Sequence, residues 1–325
     1  MIMRLLLILL LSLPLSSLSA FGAPKDSLIM KETYRNNYGI IVSKQEWVRR
    51  GKDGTVTKVL KDGSVIHEVF SSGSYHGEVT ATFPHSETIA QVKTYDMGRL
   101  LSIKTFFVNG LPAREEVFKD DGAHVTSLWS EGNEADTVST PYFIETVSGG
   151  KIVEGFYSSR NGKYTSTISQ GSGVRSSFSP DNALLTEEIF RDGEMIKRIT
   201  FYSNRDPESI VHYVNGYPHG LRLTYLIGGI PNTIEEWRYG YQDGMTTVFK
   251  NGCKVAEISY VKGSKEGLEL RYNENEAIAE EVSWKNNNLH GVRKIYAGDI
   301  SKKEWYHHGK VVTKAKFERL NNLAG

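Results

Sequence analysis

The stretch Asn215-Gly216-Tyr217-Pro218-His219-Gly220-Leu221-Arg222-Leu223-Thr224-Tyr225 holds two structural signals side by side. Its first six residues carry two glycines four apart. Glycine reaches positive φ at little steric cost, so this segment predicts a turn. The next five residues alternate, with Leu221, Leu223 and Tyr225 against Arg222 and Thr224. Alternation of period two predicts a strand with one buried face. The same marks return downstream. The pairs Gly216/Gly220, Gly240/Gly244, Gly263/Gly267 and Asn287/Gly291 are offset by 24, 23 and 24 residues. Three residues before each anchor stands an aromatic: Tyr213, Trp237, Tyr260 and Trp284. Nine residues after each stands another: Tyr225, Phe249, Tyr272 and Tyr296. A second turn falls midway, at Asn251-Gly252 and at Asn273 to Asn275. Each repeat therefore reads as a β-hairpin of about 23 residues.

Working outward, turn signals continue toward the N-terminus at Asp53-Gly54, Asp62-Gly63, Gly73 to Gly77, Asp96 to Gly98, Asn109 to Pro112 and Asp120 to Gly122. Phe70, Phe107 and Trp129 each precede a glycine by three residues. The register loosens over 133–204, where Gly149-Gly150, Gly171 to Gly173 and Asp192-Gly193 still punctuate the chain. Residues 133–141 read as an insertion or a bend. The predicted fold is all-β, an elongated array of antiparallel β-hairpin repeats, either a meander or an open solenoid. Its expected divisions are a leader at 1–23, N-terminal hairpins at 24–132, a degenerate β region at 133–204 and clear repeats at 205–325.

The G-x-x-x-G core, the aromatic closing each strand and the 23- to 24-residue period resemble the variant MORN repeat family. In bacteria that group is often labelled YwqK-type antitoxin-like. The resemblance covers about 205–310 and extends more faintly over 45–125. It implies a stack of hairpins that serves as a scaffold or binding surface and carries little chemistry of its own.

Composition narrows the function classes. Lys plus Arg number 39 against 38 for Asp plus Glu. This balance argues against a nucleic-acid binder, which uses a basic face to displace counterions from phosphates, and against a polybasic membrane-surface protein. Met1 to Arg4 is a short positive segment, and Leu5 to Leu18 is an apolar run of about 14 residues. Small residues follow, with cleavage expected near Ser19-Ala20 or Gly22-Ala23. This is the layout of a secretory signal peptide. A spanning helix needs roughly 20 apolar residues, so no stable membrane span is expected once the leader is removed. The mature chain is expected in the periplasm or outside the cell. Cys253 is the one cysteine, which excludes an intramolecular disulfide. It reads as a small half-buried side chain beside a turn.

The sequence contains no phosphate-binding loop, no H-E-x-x-H, no G-x-S-x-G and no C-x-x-C. Gly171-Ser172-Gly173 lacks the strand and helix that a phosphate loop requires. No catalytic residue, cofactor or metal ligand is assigned. His76, His219 and His290 each precede a repeat glycine, and Asp243 and Glu266 fill the same register. They read as turn-tip polar residues. His307-His308 with Glu304 offers too few ligands for zinc. Trp47, Trp237 and Trp305 each follow a glutamate. They read as parts of a hydrophobic spine between hairpins, with a platform for a sugar or a quaternary amine as the alternative. The expected function is that of an exported, non-enzymatic scaffold with a protein partner. A module for a cell-envelope polymer, a carbohydrate or an amine is the second reading, and an enzyme with its site in the irregular middle, about 133–200, is the third. The scaffold reading predicts buried aromatics. The ligand reading predicts two or more exposed around a shared groove.

Overall fold

Asn215 and Gly216 both adopt positive φ, at 51° and 78°, which is the backbone of a type I′ turn. Paired positive values recur at Ser72-Gly73, Met97-Gly98, Gln170-Gly171, Asp192-Gly193, Tyr239-Gly240, Lys262-Gly263 and His308-Gly309. Such two-residue loops match the twist of the strands they join. Wider loops close other strand pairs, and a side-chain oxygen holds many of them. Asp62 accepts from the Ser64 N–H at 3.0 Å, Asn109 from Leu111 at 3.0 Å and Asn204 from Asp206 at 3.1 Å. These are the local bonds for which Asn and Asp are favoured in turns.

The computed structural model describes residues 28–131, 140–298 and 300–322. The expected leader and residues 133–139 of the expected insertion lie outside the described residues. The described strands number 26 and form one antiparallel sheet that does not close. The fold is thus the all-β open meander of repeated hairpins that the spacing predicts. It divides into two compact units with a boundary at Val117/Phe118.

In the first unit, strand Ile29–Arg35 pairs with Gly54–Leu60, which pairs with Val65–Ser71. A short helix, α1 (Lys44–Arg49), sets Trp47 among these strands. The period-two reading assigns no helix there, yet the cap is local. Ser43 Oγ accepts from the Glu46 N–H at 3.1 Å, as a Ser-x-x-Glu start allows. Trp47 contacts Tyr34 and Phe70 at ring separations of 5.3 and 5.2 Å. Phe70 continues to Tyr75 at 4.7 Å, and Tyr75 to Tyr95 at 5.1 Å. Burial, with the charge of Glu68 beside it, pushes the Tyr75 phenol up to about 12. A second apolar cluster joins Leu60, Ile66 and Ala81.

The second unit packs Ile152, Tyr157, Ile168 and Phe190 as its buried cluster. Its strands then run from Leu184–Arg191 to Lys310–Val312 in sequential antiparallel pairs. A second helix, α2 (Lys314–Asn322), follows Thr313, whose hydroxyl accepts from the Lys316 N–H at 3.3 Å. Phe317 of α2 lies 5.1 Å from Trp305. No described helix is long and apolar enough to cross a membrane.

Candidate functional site

Residues directly opposite on paired strands share a face, so the register assigns the two sides of the sheet. The second glycine of each repeat lies opposite the next repeat's leading aromatic. Gly220 pairs with Trp237, Gly244 with Tyr260 and Gly267 with Trp284. Gly77 with Tyr95, Gly173 with Phe190 and Gly291 with Tyr306 follow the same rule. A glycine leaves the ring room to lie across the neighbouring strand. A cation approaches several of these rings: Arg198 is 5.8 Å from Tyr213, Arg222 is 5.8 Å from Trp237 and Lys265 is 4.6 Å from Trp284.

Carboxylates fix those cations in turn. Arg222 pairs with Glu235 at 3.2 Å, and Glu235 also accepts from Trp237 Nε1 at 2.8 Å. Glu269 is 3% exposed and accepts from Lys265 Nζ at 2.9 Å and Arg271 Nε at 2.7 Å. Arg271 reaches Glu280 at 3.0 Å, and Arg293 links Glu280 to Glu304. Burial alone would raise the Glu269 carboxyl. The bonds from Lys265 and Arg271 outweigh it and hold the group below its ordinary value of 4.5. Hydrogen bonds from Tyr272 and Lys294 hold Glu257 and Glu281 down in the same way. A depressed carboxylate adds stability that is present above the unfolded value and lost as pH falls through the folded one. The urea midpoint is therefore expected to fall steadily as pH drops below about 4.5. Glu269→Gln is expected to flatten that slope in a pH series of urea titrations.

The polar residue before the repeat glycine has a defined task. His76 Nδ1 accepts from the Met97 N–H at 3.4 Å, Glu154 from Gln170 at 3.0 Å and Glu266 from Asn286 at 2.7 Å. Ser172 Oγ accepts from the Asp192 N–H at 3.3 Å, and His290 Nδ1 from His308 at 3.4 Å. Each donor is the left-handed residue of the following type I′ turn. One repeat thereby caps the turn of the next. His219 departs from this pattern and packs its ring edge-on against Tyr239 at 4.6 Å.

All eight repeat aromatics, Tyr213, Tyr225, Trp237, Phe249, Tyr260, Tyr272, Trp284 and Tyr296, are half-buried. The exposed rings among the described residues are others: Tyr38 in the first unit, and Tyr217, Tyr239 and Tyr241 at or beside the turns of the second. Trp47 is buried and helical, whereas Trp237 and Trp305 are half-buried on strands. Glu304 and His308 do not share a face. The strand ends at His307, and His308 enters the turn with φ 46°, while Glu304 bonds Lys302 and Tyr306. Cys253 is exposed rather than half-buried.

At Leu221 and Leu268 the alternation assigns the wrong side as the covered one, while Leu223 and Leu270 are half-buried. Leu221 is 46%, Met245 40% and Leu268 42% exposed, whereas Glu269, Thr246 and Val282 on the opposite face are buried. The physical reason is the single sheet, in which cover comes from side chains of the same face. Long Arg, Glu and aromatic side chains cover one another. Met245 and Leu268 stand across from Ser259 and Ser283, which are too short to cover them. Leu221, Met245 and Leu268 each sit five residues after a repeat anchor. That fixed place was the available signal for an exposed strip, and periodicity alone hides it.

No family model matches the chain. No curated protein matches it. Among solved structures it is similar to the "Structure of Photorhabdus luminescens Tc holotoxin pore, Mutation TccC3-D651A", at 12% identity and a TM-score of 0.17. That likeness covers 80% of this chain and 17% of the other, so the chain spans under a fifth of that structure's length. At such a score it carries no argument about fold or function.

Proposed function

We propose that the chain is an exported, non-catalytic repeat scaffold that binds a protein partner through its second unit. One observation carries the reading: Leu221, Met245 and Leu268 are exposed and apolar at the same register of three successive repeats. Copies two strands apart stand about 9.5 Å from one another. The strip therefore offers regularly spaced apolar contacts, of the kind that protein interfaces bury at their centre. Exposed Tyr217, Tyr239 and Tyr241 add a residue type enriched in interfaces. The resemblance to variant MORN repeats and the leader-like residues 1–23 support a bacterial scaffold working outside the cytoplasm. The three exposed tyrosines also favour a second reading, an envelope carbohydrate or amine module. The repeat aromatics favour it less, because Arg198, Arg222 and Lys265 already lie over three of their rings.

The test is crosslinking with affinity capture from the native envelope and culture fluid, read by mass spectrometry. The wild-type chain is compared with a Leu221→Glu, Met245→Glu, Leu268→Glu variant. The expected result is a stoichiometric protein partner with the wild type and its loss with the variant. Surface changes of this type alter stability by about 0.5 kcal/mol or less each, so the melting curve should hold. Equal capture by both chains, or glycan in place of protein, would sink the scaffold reading.

A further inference from the structure

The last repeat brings three imidazoles together. His290 comes from the strand Asn288–Ala297, His307 ends the strand Ile300–His307, and His308 opens the turn before Lys310–Val312. One ring nitrogen of each lies within 4.8 Å of the other two. Ring centroids are 5.1 Å apart for His290 and His307, 4.7 Å for His290 and His308, and 4.5 Å for His307 and His308. Sibling repeats place different chemistry at these positions. There His219 meets Tyr239, and Glu266 meets the Asn286 backbone. The array's own packing therefore does not require imidazoles at this end.

The surroundings suit metal ligation. His290 is half-buried and lies against His308, so its ring faces the cluster rather than open water. The neutral ring is the form that ligates metals. His290 Nδ1 accepts only a long contact from the His308 N–H, at 3.4 Å, which an ion on that lone pair would displace while the other nitrogen keeps the ring proton. The Asn321 side chain of α2 hydrogen-bonds the same ring. A polar partner on the second nitrogen is the usual support behind a ligating histidine, because it fixes the tautomer and the ring's orientation. Phe317 covers the cluster, 5.4 Å from His290 and 6.3 Å from His307.

We propose that His290, His307 and His308 form a binding site for one divalent late-transition-metal ion, with zinc the ion expected. Three imidazole ligands select zinc, copper or nickel over magnesium and calcium, which prefer oxygen. Zinc at about 2.0–2.1 Å from each nitrogen draws the donors to roughly 3.3 Å apart. The exposed His308 side chain, on its turn, supplies the rotation. A water completes the tetrahedron. The ion ties the final hairpin to the strand Asn288–Ala297, with Asn321 of α2 behind it. No catalytic role is assigned to it.

The experiment uses the chain purified without a histidine tag, titrated with Zn²⁺ by calorimetry and with Co²⁺ by visible absorption. The expected result is one equivalent of Zn²⁺ at micromolar affinity or tighter, and Co²⁺ bands of tetrahedral intensity. His308→Asn is the decisive variant. Asparagine tolerates the left-handed backbone at 308, so the turn is kept while the ligand is lost. It should weaken zinc by at least about 100-fold, and Asn321→Ala by roughly 10- to 100-fold. His219→Asn should change nothing. Absence of stoichiometric zinc binding, or unchanged affinity in His308→Asn, would overturn the proposal.

Discussion

Glu188→Ala is expected to destabilise the second unit by about 3 kcal/mol, read as a fall in the urea midpoint at constant slope. Glu188 is 6% exposed and joins two arginines from the strands on either side. Arg175 Nε donates to its Oε2 at 2.6 Å and Arg198 Nε to its Oε1 at 2.7 Å. Removing the carboxylate leaves both guanidiniums largely enclosed with less compensation, and breaking a buried pair from one side typically costs about 3–5 kcal/mol. The low end applies because Arg175 keeps Glu145, whose Oε2 accepts from it at 3.1 Å. Arg198 has the larger loss and retains its approach to Tyr213. Glu194→Ala makes the contrast. Glu194 and its partner Lys151 are each 51% exposed, so that pair is worth about 0–1 kcal/mol. If the two variants cost the same, burial does not govern the ladder. A double-mutant cycle of Glu188 with Arg198 isolates the pairwise share.

The hairpins were legible because a type I′ turn makes a hard demand on sequence. Asn215-Gly216 and Asn251-Gly252 satisfy positive φ at two successive residues, and few other pairs do so cheaply. The link between Gly220 and Trp237 was not legible. It depends on strand register, and the shift between Thr224 and Tyr225 resets that register within one strand. Burial was misread at Leu221 and Leu268 because alternation reports two faces without saying which is covered. Ser43 and Glu46 announced α1 by their spacing, but a six-residue helix is too short to show periodicity. The histidine cluster is legible only after pairing is known. Gly291 stands opposite Tyr306, which carries His290 toward His307 although they are far apart in the chain. The weak signal at Glu304 and His308 pointed to the right region and the wrong partner.

Gly173→Ala is expected to be the most damaging single glycine change in the second unit, at about 3–5 kcal/mol. Gly173 follows the type I′ turn at Gln170-Gly171 and has φ 144°. It pairs with Ile168 on one side and Phe190 on the other, both in the buried cluster. A Cβ there would stand 2.2 Å from the Thr167 carbonyl oxygen and 2.9 Å from Ile168 Cα. Both are backbone atoms, so no side-chain rotation relieves the overlap and the two strands must part. Gly267→Ala separates this effect from conformational strain. Gly267 has φ 90° in the matching position, opposite Trp284, but its nearest neighbour for a Cβ is Ser259 Cβ at an ordinary 3.7 Å. That variant bears only the cost of an L-residue in a left-handed backbone, about 1–2 kcal/mol. Equilibrium urea unfolding of both chains decides the matter. A clear gap between them means that close backbone approach, beyond φ, keeps glycine at this register near Ile168. Equal losses mean that φ alone selects glycine, and that the strands around Gly173 yield more readily than their packing implies.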